Sequence, residues 1–222
     1  MLTFLLCIFL NLILAFDTKL DITFLIDGSL SVTKETFLTF TSFTNAITAS
    51  LNVSEDETHA SVTVYGDNSI LVANLNDHFN QSSLEKAVDK TMYPASLQSN
   101  LGDAMLYVAS ILHNASISRP KVQKVLVILT ASKSHDEIAV PSYLLLKNYN
   151  VTVFTIAVGS EYSLGQVKEI SSDPDSDHIL TYDSGKELGF EVAHFKERMA
   201  EGKYLVLSIM NNRLLGLFSS LR

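Results

Sequence analysis

Hydrophobic runs of strand length alternate with longer amphipathic segments from about residue 20 onward, a pattern typical of a doubly wound α/β fold. Six runs predict β-strands: Asp21–Ile26, Ala60–Tyr65, Ile70–Leu75, Val122–Leu129, Val151–Val158 and His178–Thr181. Six segments predict helices: Lys34–Ser50, Ser83–Lys90, Leu101–His113, Asp136–Lys147, Leu164–Ser171 and Lys186–Ala200. We therefore expect a single sheet covered by helices on both faces.

The character of the runs indicates where two kinds of strand lie in the sheet. Val122–Leu129 and Val151–Val158 are nearly continuous apolar runs, as expected for central strands buried on both faces. Gly66-Asp67-Asn68 separates two other runs and consists of residues that tolerate positive φ, which predicts a hairpin. The expected sheet is thus six-stranded and mostly parallel, with one antiparallel edge strand.

The two ends of the chain differ from this pattern. The first fifteen residues are apolar except for Thr3 and Asn11, and residues 1–16 are interpreted as a signal peptide. An N-terminal membrane anchor is the alternative, although the run is shorter than the roughly 20 residues that span a bilayer. Residues 203–222 are apolar but interrupted by polar residues. They predict a divergent tail that either packs on the protein or contacts a membrane surface, which leaves one domain at residues 20–202.

Composition narrows the class of protein. Hydrophobic residues make up 47% of the 222-residue chain, enough for one compact core, and the net charge of −8 argues against nucleic-acid binding. The single cysteine, Cys7, lies within the predicted signal peptide, so the mature chain would have no disulfide or cysteine nucleophile. Asn-X-Ser/Thr sequons suit a secreted glycoprotein. The predicted glycosylation sites are Asn52, Asn80, Asn114 and Asn150.

The sharpest chemical signal is the sequence Asp27-Gly28-Ser29-Leu30-Ser31, which follows the first predicted strand. Ligands of open α/β sheets bind beyond the carboxyl ends of the strands, where this loop lies. A carboxylate and two hydroxyls at alternate positions can face one point, and such hard oxygens suit Mg²⁺, Mn²⁺ or Ca²⁺. The motif alone is weak evidence, because Asp, Gly and Ser are also ordinary turn residues.

The motif resembles the metal-site motif D-x-S-x-S of von Willebrand factor type A (VWA) domains, and the resemblance extends over about residues 20–200. Gln98–Met105 resembles the T-x-x-G-x-A-L segment of that family, with Ser99 in place of the metal-ligating threonine. Val125–Thr130, Lys147–Gly159 and Ile170–Pro174 resemble later strands and a loop. The closest resemblance is to collagen type VI chains and related matrix proteins. No Gly-X-Y tract occurs, so the chain would be a fragment, an isoform or a stand-alone relative.

The resemblance implies a VWA or Rossmann-like fold and a metal site with four retained ligands: Asp27, Ser29, Ser31 and Ser99. One ligand is missing, because the Thr-Asp-Gly of the family is Thr130-Ala131-Ser132 here. Ala131 replaces a carboxylate that coordinates the cation directly or through water in the family. We therefore expect Mg²⁺ or Mn²⁺ to bind weakly or not at all.

The function expected from the resemblance is a secreted, non-enzymatic interaction module of the extracellular matrix that contacts matrix or receptor proteins. A serine hydrolase that uses Ser29 is one alternative, but no G-x-S-x-G elbow occurs and the histidines show no ligand spacing. A purely structural domain without a ligand is another. No glycine-rich phosphate loop is present, so nucleotide binding is not expected either.

Overall fold

The computed structural model describes residues 19–114 and 116–200, with residues 194–200 described by their helical backbone alone. The predicted signal peptide and the divergent tail lie outside these residues. The six strands are β1 (Leu20–Asp27), β2 (Thr58–Tyr65), β3 (Ser69–Ala73), β4 (Gln123–Thr130), β5 (Thr152–Val158) and β6 (Ile179–Tyr182). Within the described ranges, no helix is both long enough and apolar enough to cross a membrane.

The strands form one sheet in the order β3-β2-β1-β4-β5-β6. β1 lies at its centre, where Phe24 pairs in parallel with Val62 of β2 and with Val127 of β4. β3 alone is antiparallel, and Tyr65 lies opposite Ser69 across the hairpin. The predicted sheet, with its antiparallel edge strand, is confirmed.

The helices cover both faces of the sheet. They are α1 (Lys34–Ala49), α2 (Gln81–Asp89), α3 (Leu101–His113), α4 (Ala139–Tyr143), α5 (Leu164–Ile170), α6 (Asp175–His178) and α7 (Gly185–Ala200). α1, α2 and α7 pack on one face around Phe37, Phe40 and Phe154. α3, α4 and α5 pack on the other around Met105 and Ile128. Each face has its own buried apolar cluster, so the sheet is covered on both sides.

The helix predicted at Asp136–Lys147 differs from the structure. It begins only at Ala139, and from Leu144 to Asn148 it widens into a π-helical turn. Asp136 stays outside the helix because its carboxylate accepts hydrogen bonds from the backbone N–H groups of Gly102 and Asp103, at 2.8 and 2.7 Å. The carboxylate therefore caps α3, a long-range contact that local sequence periodicity does not reveal.

A buried ion pair ties the amino end of the sheet together. The Asp21 side chain is fully buried and lies 2.7 Å from a guanidinium nitrogen of Arg119. The same guanidinium donates to the backbone oxygens of Leu20 and Glu57, at 2.9 and 2.7 Å. Arg119 thus joins β1, the segment before β2 and the segment before β4 at the end of the sheet opposite the predicted site.

Candidate functional site

Three loops meet at the carboxyl end of the sheet: the first follows β1, the second spans residues 91–100, and the third follows β4. The loop after β1 and the 91–100 loop are joined by backbone hydrogen bonds from Leu30 N to Ser96 O, at 2.8 Å, and from Ser96 N to Gly28 O, at 3.0 Å. Gly28 makes this approach possible, because a Cβ there would lie 2.6 Å from the Pro94 side chain. The Tyr93 hydroxyl donates to the backbone oxygens of Ser29 and Val32, so the first loop is held from both sides.

Asp27, the last residue of β1, lies at the bottom of this loop cluster and is fully buried. One carboxylate oxygen accepts from the backbone N–H of Ser29 at 2.9 Å. The other accepts from the Thr130 hydroxyl and the Ala131 N–H, each at 3.3 Å, and from the Ser132 hydroxyl at 2.6 Å. The carboxylate therefore has four hydrogen-bond donors, all of them uncharged.

The Ser132 hydroxyl lies at the centre of the site and contacts three other side chains. Its oxygen lies 2.6 Å from Asp27 Oδ2, 2.7 Å from Ser99 Oγ and 3.5 Å from Ser29 Oγ. All four of these residues are buried. A single hydroxyl thus connects the three loop-end residues that the sequence predicts as metal ligands.

The Tyr65 hydroxyl lies beside this network, at the end of β2. It is buried and, among the residues that the structure describes, has no partner in hydrogen-bonding geometry, although Asp27, Thr130 and Ser99 are its neighbours. Burial, and then the negative charge of Asp27, raise the pKa of Tyr65 well above its ordinary value of 10.0. The phenol therefore keeps its proton at physiological pH and adds no charge to the site.

Further contacts fix the second loop. The Ser99 N–H donates to Nδ1 of His135 at 3.0 Å, and the Ser134 hydroxyl lies 3.3 Å from the Ser99 backbone oxygen. The Leu101 N–H at the start of α3 donates to Ser134 Oγ at 3.2 Å. The position of Ser99 is therefore set by the loop that follows β4, the same loop that carries Ser132.

Comparison with known proteins decides the family. Residues 21–193 match the family model of the von Willebrand factor type A domain. The chain belongs to the VWA domain family. It is 29% identical over 157 residues to the collagen alpha-5(VI) chain of Mus musculus, covering 71% of this chain and 6% of the collagen. It is 32% identical over 164 residues to matrilin-1 of Gallus gallus, covering 73% of this chain and 33% of matrilin-1.

A solved structure shares the VWA fold. Proximal thread matrix protein 1 from the mussel byssus, with zinc in its metal-ion-dependent adhesion site (MIDAS) motif, superposes with a TM-score of 0.73 at 19% identity. The match covers 81% of this chain and 47% of that chain. The chain spans only a third or less of collagen alpha-5(VI) and of matrilin-1, so the likeness concerns the VWA domain alone.

The structure brings together three of the four predicted VWA metal ligands. Asp27, Ser29 and Ser99 meet around Ser132, whereas Ser31 is exposed and shares no hydrogen bond with them in the described part of the chain. A tight turn explains the exception, because Val32 N donates to Ser29 O at 3.1 Å and turns Ser31 outward. The alternating spacing of the motif therefore does not bring all its side chains to one point.

Ser132 is the site residue that the sequence reasoning missed. The family motif points to the alanine before it, Ala131, and assigns no role to the serine. The available signal was the replacement of the motif's glycine by serine, which adds a hydroxyl where the family has no side chain. What that hydroxyl contacts depends on Asp27, which lies 105 residues away along the chain.

The residues present do not fit the divalent cation of a VWA metal site. Hard oxygens are available, but Asp27 supplies the only carboxylate among them and already accepts four hydrogen bonds. Mg²⁺ keeps several waters in its coordination shell, whereas Asp27, Ser29 and Ser99 are at most 1% exposed. Among the residues that the structure describes, no three His, Cys, Asp or Glu side chains group together as metal ligands.

The surroundings of Ser29 bear on the serine hydrolase alternative. A nucleophilic serine needs a base beside its hydroxyl, but within the described residues the neighbour of Ser29 Oγ is another hydroxyl, that of Ser132, at 3.5 Å. Ser29 is also buried from solvent.

The four sequon asparagines are all exposed, as attachment of a glycan requires.

Proposed function

We propose that the chain is a secreted, non-enzymatic interaction module of the extracellular matrix whose metal-ion-dependent adhesion site is partly degraded. The loop end of the sheet forms the contact face for a matrix or receptor protein. Family membership over residues 21–193 and the likeness to collagen and matrilin chains support this role. Glycosylation at the four exposed sequons belongs to the same proposal.

The observation that carries the proposal is the exposed apolar rim of the loop end, consisting of Leu30 and Leu97. These side chains are 57% and 74% exposed. Leu30 follows Ser29 of the buried network, and Leu97 follows Ser96, which forms a parallel β-bridge with Ser29. Exposed leucines on a loop that is fixed by hydrogen bonds provide a preorganised apolar contact. Leucines on a mobile loop would lose more entropy on binding.

Binding to an immobilised extracellular-matrix extract tests the proposal, with an albumin-coated surface as the control. We expect saturable binding of the purified protein that Leu30→Ser together with Leu97→Ser weakens about fivefold or more. Phe190→Ser is the matched control, because Phe190 is 66% exposed but lies on α7. Binding no stronger than to albumin, or equal loss in the control variant, would refute the proposed contact face.

A further inference from the structure

We propose that the Ser132 hydroxyl takes the place of the cation, so that the loop end is held together without metal. Ala131 and Ser132 then act as a pair that converts a metal-dependent VWA site into a hydrogen-bonded one. The consequence for binding, that a chelator leaves it unchanged, rests on the function proposed above. The structural inference itself concerns only the purified protein.

The Ser132 hydroxyl lies where it can join the three loops. A metal ion in such a site draws together oxygens from three separate loops, and Ser132 Oγ does this here. It contacts Asp27, where β1 enters the first loop, at 2.6 Å and Ser99 of the second loop at 2.7 Å, while Ser132 itself lies in the third loop. Mg²⁺ would need oxygens at about 2.0–2.1 Å around a centre of its own, and the serine oxygen occupies that space.

The buried carboxylate of Asp27 is offset by hydrogen bonds. A buried carboxylate requires either a cation or several hydrogen bonds to offset its desolvation. An ionised carboxylate offers about four acceptor sites, two on each oxygen. One donor reaches Oδ1 of Asp27 and three reach Oδ2, where the Thr130 hydroxyl is shared with the Ser132 backbone oxygen at 3.2 Å. The bond from Ser132 is the shortest of them and is charge-assisted, the strong class of hydrogen bond. Asp27 is therefore satisfied by its own chain.

Ala131 places a methyl group beside Asp27 where the family has a carboxylate. Its backbone N–H lies 3.3 Å from Asp27 Oδ2, and its methyl group is buried. A carboxylate at this position would place a second negative charge close to Asp27, which only a cation would offset. The methyl group removes that charge, and the neighbouring hydroxyl supplies the donor. Restoring the acid alone would leave Ser132 in the metal position, so both residues must change to restore a site.

Thermal unfolding in EDTA and in 5 mM Mg²⁺ tests the inference on the purified full chain. The wild-type melting temperature should be the same in both buffers within about 1 °C. Ala131→Asp alone should melt lower in EDTA and recover little with Mg²⁺. The double variant Ala131→Asp with Ser132→Gly should rise by about 5 °C when Mg²⁺ is added, because the ion binds only the folded state.

Ser171→Ala is the control for the loss of a buried serine. Ser171 Oγ makes two hydrogen bonds, to Thr155 Oγ1 at 2.8 Å and to Val167 O at 2.7 Å, away from the loop end. This variant should melt lower by a similar amount in both buffers. A wild-type protein that gains several degrees from Mg²⁺, with the gain lost in Asp27→Asn, would overturn the inference. So would a full Mg²⁺ response from Ala131→Asp alone. Neither result depends on finding a binding partner.

Discussion

Replacement of Arg119 by alanine should strongly destabilise the protein, because it leaves the fully buried Asp21 carboxylate without its guanidinium partner. The variant loses the contacts from Arg119 Nε and Nη2 to Asp21 Oδ1, at 2.8 and 2.7 Å. It also loses the hydrogen bonds that the guanidinium donates to the backbone oxygens of Leu20 and Glu57. Loss of one partner of a buried ion pair costs about 3–5 kcal/mol. The Arg119 side chain is 21% exposed and Lys124 lies 3.7 Å from Asp21, so we expect the lower end, about 3 kcal/mol.

Urea unfolding measures this loss as a lower midpoint at an unchanged slope. Lys168→Ala is the matched control. It breaks an ion pair of similar length, 3.0 Å to Asp175, whose side chains are 53% and 42% exposed. Exposed pairs contribute about 0–1 kcal/mol, so the control should unfold almost as the wild type does. A loss below about 1 kcal/mol in Arg119→Ala would refute the argument that this pair joins the amino end of the sheet.

Gly102→Ala should prevent folding or lower stability by several kcal/mol, because a Cβ at that position would lie 1.9 Å from the backbone oxygen of Glu137; circular dichroism during heating checks this. Stability should be full below about pH 10 and should fall above it, because burial first of all raises the pKa of Tyr65 and of Tyr182 while both ionise normally in the unfolded chain. In urea titrations, Tyr65→Phe should make that fall less steep by up to about 1.4 kcal/mol per pH unit, and an unchanged slope would contradict the assignment. Enzymatic deglycosylation of protein secreted from eukaryotic cells should reduce its mass, and an unchanged mass would show that the exposed sequons are not used.

The fold could be predicted because its signals are repeated along the chain. The apolar runs that form β4 and β5 are buried on both faces, so their hydrophobic pattern had few alternative interpretations. The turn at Gly66 likewise gave the antiparallel edge strand. The start of α4 could not be predicted, because the Asp136 carboxylate is used to cap a different helix.

The site was only partly predictable for a similar physical reason. The first motif predicts Asp27 and Ser29 and a second motif predicts Ser99, and parallel strands bring these residues to one edge of the sheet. The outward turn of Ser31 depends on a hydrogen bond between Val32 and Ser29. The role of Ser132 depends on distances between three loops. The motif comparison indicates a missing acid at Ala131, whereas the hydrogen bond from the neighbouring Ser132 to Asp27 is visible only in the structure.

Direct measurement of Mn²⁺ binding tests the central claim, that hydrogen bonds hold the loop end in place of a cation. Electron paramagnetic resonance reports free Mn²⁺ during titration of the purified protein, and Asp27→Asn serves as the control. We predict that wild type and Asp27→Asn bind equally little Mn²⁺, while Ala131→Asp with Ser132→Gly binds one ion per chain. One tightly bound ion per wild-type chain, lost in Asp27→Asn, would contradict the account.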